Sequence, residues 1–186
     1  MTMPSVALLS DGGIRFADLS LWFTTALLEL DEVLDPDQPE RVKRRLYPLP
    51  SDDAEEAAEW ERLVHPDLFA LVASARAIVL EDLNGLETSL RTSPVPPSAE
   101  DGDEGIRANA AVGWGMTIPG EHVQAWISAL QTARLTLAEL HEVGESESSE
   151  DIDPLDARSM AIAKMRTYAW LLELVLECVD PELRRS

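Results

Sequence analysis

Cysteine, lysine and histidine are all scarce in this chain. One cysteine, Cys178, stands in 186 residues, so no internal disulfide can form. It lies in an apolar helical pattern among Leu, Val and Glu, which suits a small core residue better than an activated thiolate. Only Lys43 and Lys164 are lysines; Arg supplies the rest of the 15 basic residues. The three histidines, His65, His122 and His141, lack the Cys or carboxylate spacing of a zinc site. No apolar run approaches the length of a membrane helix. The opening MTMPSVALLSDGG has neither a positive n-region nor a long apolar h-region. A P-loop, a dinucleotide fingerprint, a GxSxG elbow and an HExxH motif are likewise missing. These absences lead to the expectation of a cytoplasmic protein with no metal, no cofactor and no recognisable catalytic constellation.

Negative charge is what the chain has in excess. Thirty-five acidic residues face 15 basic ones, for a net charge of −20. Such a field repels phosphate backbones and anionic membrane surfaces, so neither nucleic acid nor a membrane is the expected partner. The apolar share of 45% is too high for a disordered chain, and the length fits one domain over residues 1–186.

The stretch 121–141, EHVQAWISALQTARLTLAELH, organises the rest. Val123, Trp126, Ile127, Leu130, Leu137 and His141 recur at steps of three and four, which lines one helical face. Arg134 falls on that face where an apolar residue is expected. A guanidinium there needs a carboxylate or carbonyls, because an unpaired buried charge costs several kcal/mol. Glu173 is the candidate partner, with Asp67 and Asp82 as alternatives. Two roles are open for Arg134: half of a buried pair that fixes helix register, or a clamp for an anion or a terminal carboxylate.

Around this helix the pattern predicts a mainly α domain of about five helices, packed in bundle-like or orthogonal fashion, with a small antiparallel β element. Val6–Leu9 and Ile14–Phe16 read as a hairpin, with Asp11-Gly12-Gly13 at the turn. Ser20 is placed to cap a helix over 21–34. Residues 35–51 form a proline-punctuated connector holding the dense basic patch Arg41, Lys43, Arg44 and Arg45. It would dock on the protein's own acidic surface or on an acidic partner. Asp52 with Glu55 has capping-box spacing for a helix to Val64 with Ala57, Trp60 and Val64 inward. Pro66 opens the next helix, whose stripe runs through Leu68, Val72, Ala75, Val79, Leu83, Leu86 and Leu90, although Asn84-Gly85 interrupts it. Residues 92–111 and 143–153 read as acidic flexible loops, and 112–118 as a third strand that could join the hairpin. The last helix, from Pro154 to Val179, is apolar on several sides. It is either central or shared with another copy of the chain.

Several segments together carry a family likeness. The run Trp126-Ile127-Ser128-Ala129-Leu130-Gln131-Thr132-Ala133-Arg134-Leu135-Thr136-Leu137 is the main one. Arg45-Leu46-Tyr47-Pro48 with Asp52-Asp53 and Glu59-Trp60-Glu61-Arg62-Leu63 is a second; Asp67-Leu68 and Tyr168-Ala169-Trp170-Leu171 complete the series. In this order they resemble a bacterial family of unknown function, found mostly in high-GC Gram-positive bacteria and often encoded beside the Clp protease adaptor ClpS. The chain departs from that pattern at Gln131, where Asn is expected, and at Ala138, where Gly is expected. The resemblance implies a helical cytoplasmic protein associated with regulated proteolysis, and a Clp adaptor or ATPase as partner. It implies no catalytic residue.

Two functions are therefore expected. One is a non-catalytic interaction or regulatory protein acting through Arg44 and Arg45 or the face around Arg134. The other is a binder of a small molecule or peptide carboxylate, with a pocket at Arg134, Trp126, Tyr168 and Trp170. An enzyme of unrecognised type stands third.

Overall fold

Strands β1 (Ser5–Leu8) and β2 (Ile14–Leu19) pair antiparallel in a hairpin. Its turn is closed by the Leu9 N–H on the Gly13 carbonyl at 2.7 Å, with Gly12 at φ 83°, a conformation that favours glycine. These features come from a computed structural model, which describes residues 4–90, 112–144 and 153–180. The loop expected at 92–111, and all but the ends of that at 143–153, lie outside the described residues.

The third strand expected at 112–118 forms and pairs with β2, Phe16 lying opposite Met116. It is the fourth in chain order, β4 (Val112–Ile118), because β3 (Glu87–Leu90) precedes it and pairs along its other edge. The sheet order is β1-β2-β4-β3, antiparallel throughout. The β2–β4 register shifts between Phe16 and Leu19, where Asp18 takes φ 62°. Gly113 makes room for this bulge: a Cβ there would meet the Asp18 Cα at 3.3 Å.

Ile14, Phe16, Leu19, Met116 and Ile118 belong to the buried core. The helices that cover the sheet are α1 (Leu21–Leu28), α2 (Leu30–Val33), α5 (His65–Leu83), α6 (Val123–Leu140) and α7 (Ala157–Val179). The single helix expected over 21–34 is broken at Glu29. There the Tyr168 hydroxyl donates to the Ala26 carbonyl at 2.7 Å, satisfying one of the carbonyls left at the end of α1. Ser20 stands at the N-cap of α1 but makes no side-chain cap bond. Its carbonyl instead accepts from the Thr24 hydroxyl at 3.1 Å.

Two further corrections concern the connector and its neighbour. Residues expected as irregular hold a short helix, α3 (Glu40–Leu46). Glu40 in its first turn and Lys43, Arg44 and Arg45 in its last complement the helix dipole, so the basic patch is also a helix-end device. The cap of α4 (Ala54–Leu63) is Asp53, one residue beyond the expected Asp52. Asp53 Oδ1 accepts from the Glu55 and Glu56 N–H groups at 2.9 and 3.1 Å. Ala57, Trp60 and Val64 are half-buried, as their spacing predicts, but no residue of α4 is fully buried. Helix α5 ends at Leu83 with Asn84 as its C-cap, so Leu86 lies past its end and Leu90 sits on β3 rather than on the helical stripe.

Helix α6 touches α3, α5 and α7 and is the hub of the helical layer. Among the described residues no single helix is long and apolar enough to cross a membrane; α4 and α5 meet both conditions only jointly, and they are bent by 43°.

Candidate functional site

The α6 stripe buries Val123, Trp126, Leu130 and Leu137, with Ile127 and His141 half-buried. Arg134 is half-buried too and forms no ion pair among the described residues. A cavity of about 810 Å³ lies beside it. Helix α6 contributes Gln131, Arg134, Leu135, Ala138 and Glu139 to its wall. Helix α7 contributes Ile162, Met165, Arg166 and Ala169, which share a face by helical spacing. Arg45 of α3 and the chain from Glu142 to Gly144 complete the lining.

The Arg134–Glu173 pair expected from the sequence is not formed among the described residues. Arg134 meets the 162–169 stretch of α7, while Glu173 is exposed about one turn further along. Asp67 is exposed as well. Asp82 is committed elsewhere: its carboxylate accepts from the Trp126 indole N–H at 2.8 Å and lies 2.9 Å from His122 Nδ1. Arg134 Nε is shielded from solvent and has no hydrogen-bond partner among the described residues. Its guanidinium presents planar N–H donors matched to a carboxylate or phosphate.

Three residues expected at this pocket belong to the core instead. Trp126 is 2% exposed and held by Asp82. Tyr168 is fully buried, and its burial raises its hydroxyl pKa well above the usual value. Trp170 packs against Phe23 with ring centroids 5.1 Å apart. Their aromatic character drives them inward, and the donors of Trp126 and Tyr168 find partners there.

The structure does bring Arg45 to the cavity, which the linear sequence does not reveal because the proline-bracketed segment around α3 is too short to show a helical pattern. Arg166 is a second addition; its i, i+3, i+4 relation to Ile162 and Ala169 was the available signal. Arg44 is exposed and pairs with Glu40 at 3.3 Å along the same helix. It shares with Glu40, Arg41, Arg45 and Glu139 a neighbouring groove of about 510 Å³.

Arg41 docks on the protein's own surface, one of the two readings of the basic patch. It donates to the Leu140 carbonyl at 2.9 Å and pairs with Glu142 at 3.3 Å. It therefore serves the carbonyl end of α6, where the dipole is negative. Glu142 occupies the left-handed position there, at φ 52°, and the Val143 N–H returns to the Ala138 carbonyl at 2.9 Å. That closing bond fixes the backbone that forms the end of the cavity.

On the other end of α6, His122 is held by Asp82. The hydrogen bond that the imidazole donates to the Asp82 carboxylate raises its pKa above the ordinary 6.5, against the opposing effect of desolvation; Glu121 and Glu81 add smaller upward contributions. Among the described residues no three His, Cys, Asp or Glu side chains gather to hold a metal ion.

The geometry defines a class: a mainly helical domain on a small antiparallel sheet, with an open arginine-bearing cavity between its two long C-terminal helices. The chain belongs to the family described as Domain of unknown function (DUF2017), whose model matches residues 10–179. No curated protein and no solved structure matches it.

Proposed function

We propose that this is a non-catalytic binding protein of the cytoplasm, which takes a carboxylate-bearing small molecule or peptide end in the cavity between α3, α6 and α7. The observation behind this reading is Arg134 itself, which lines that cavity and forms no ion pair among the described residues. A carboxylate in the cavity would give that guanidinium a planar, two-oxygen partner. The test is thermal unfolding with a panel of carboxylates. A ligand at a hundred times its Kd raises the melting temperature by roughly 5–10 °C. That rise is absent in an Arg134→Ala variant with an unchanged circular dichroism spectrum. A panel that shifts nothing contradicts the reading.

A second reading rests on the exposure of Arg44, whose side chain is 78% exposed on a basic helix of an acidic protein. Here α3 would recognise an acidic protein surface, and the family resemblance suggests a Clp adaptor or ATPase. Co-purification of such a subunit with the wild type, lost in an Arg44→Glu/Arg45→Glu double variant, would support it. Equal recovery with both proteins would remove it.

A further inference from the structure

We propose that the ligand of this cavity is a monocarboxylate with an aliphatic body, such as a short-chain acid or the C-terminal residue of an aliphatic peptide. The inference rests on the reading above that the cavity takes a carboxylate, and it adds what the rest of the ligand must be.

Charge comes first. Arg45 and Arg166 each hold an interaction of their own, whereas Arg134 Nε has none among the described residues. One unpartnered guanidinium matches one anionic group. Glu139 and Glu142 stand in the same wall and oppose a second negative charge. The net charge of −20 disfavours polyanions further.

Shape and polarity come next. Leu135 and Ala138 of α6 and Ile162, Met165 and Ala169 of α7 line the same cavity as Arg134 and give its wall an apolar strip. Ala138 and Ala169 are short, which leaves the space open. The volume of about 810 Å³ is large for a simple ion and falls within the range of small-molecule sites. A carboxylate on Arg134 would thus carry its tail onto this strip and take it out of water.

The experiment is isothermal titration of the full chain with acetate, butanoate, hexanoate and inorganic phosphate. Each added methylene tightens binding about fourfold as the tail covers the strip, and phosphate binds no tighter than acetate. Arg134→Gln weakens the whole series together. Ala169→Phe, which fills the strip and keeps Arg134, leaves acetate binding in place and removes the dependence on chain length. Equal affinity for acetate and hexanoate, or tighter binding of phosphate, overturns the aliphatic assignment while leaving an anion site at Arg134. A chain-length effect that survives Ala169→Phe also overturns it, because the tail then lies elsewhere. If no member binds, this inference and the proposed function fall together.

Discussion

Replacing Arg134 by methionine should stabilise the unliganded protein. Methionine keeps an unbranched stem along the α6–α7 seam, and volume-conserving changes of this kind cost little, under about 1.5 kcal/mol. What it removes is a shielded Nε that has no hydrogen-bond partner among the described residues. An unsatisfied donor of this sort costs about 1–3 kcal/mol. Losing one positive charge from a protein already at −20 opposes the gain. Charges more than about 8 Å away are largely screened at physiological salt. The balance is a gain of about 1 kcal/mol, or a rise in melting temperature of roughly 2–4 °C for a chain of this size. Urea unfolding followed through the five tryptophans reads this directly, with an unchanged m-value as the control. If Arg134 were half of a buried ion pair, the same variant would lose about 3–5 kcal/mol. A loss of that size would refute the reasoning and restore a register-fixing pair.

Three further substitutions probe the frame that holds the cavity. Tyr168→Phe removes the hydroxyl on the Ala26 carbonyl and should cost about 1–2 kcal/mol in urea unfolding; a change within error would mean that α1 ends without its help. Glu142→Gly relieves a left-handed residue and should gain about 0.5–1 kcal/mol when Arg41 is already Ala. With Arg41 present the gain shrinks, because the exposed pair is lost, and equal gains in both backgrounds would show that pair to be inert. His122 has a raised folded pKa, so its contribution is full below about pH 6.5 and is lost as pH rises through the folded value. The melting temperature of the wild type should therefore exceed that of His122→Gln by more at pH 6 than at pH 9; a gap that widens with pH would contradict the His122–Asp82 assignment.

Much of the fold was legible because its signals are periodic. The 3.6-residue stripes of α5, α6 and α7 and the Asp11-Gly12-Gly13 turn each report a local constraint that one segment satisfies alone. What escaped was set by tertiary contact. The break at Glu29 accompanies a hydroxyl that Tyr168 donates to the Ala26 carbonyl, 142 positions away along the chain. Helix α3 is short and bracketed by prolines, so its pattern covers too few turns to show. Strand β3 has meaning only beside β4, and Leu90 was assigned to the preceding helix for want of that pairing. The candidate site divides in the same way. Arg134 stood out as a charge on an apolar face, and Trp126, Tyr168 and Trp170 stood out as aromatics. Only the packing separates them: the aromatics close on α1, α5 and one another's neighbours in the core, while Arg134 opens on the far side of α6. No Arg134–Glu173 pair is present among the described residues, and spacing within a single helix does not encode which turn of α7 a residue of α6 meets.

The most direct test of the account watches the atom on which it rests. In a protein labelled with ¹⁵N, the Arg134 Nε–H resonance can be identified by its absence from the Arg134→Gln spectrum and followed while hexanoate is added. The account predicts a saturable shift of that signal, in step with the Ala138, Ile162 and Ala169 amides around the cavity and with little change at Trp126 or Trp170. A resonance that stays fixed while hexanoate perturbs other parts of the chain would contradict it.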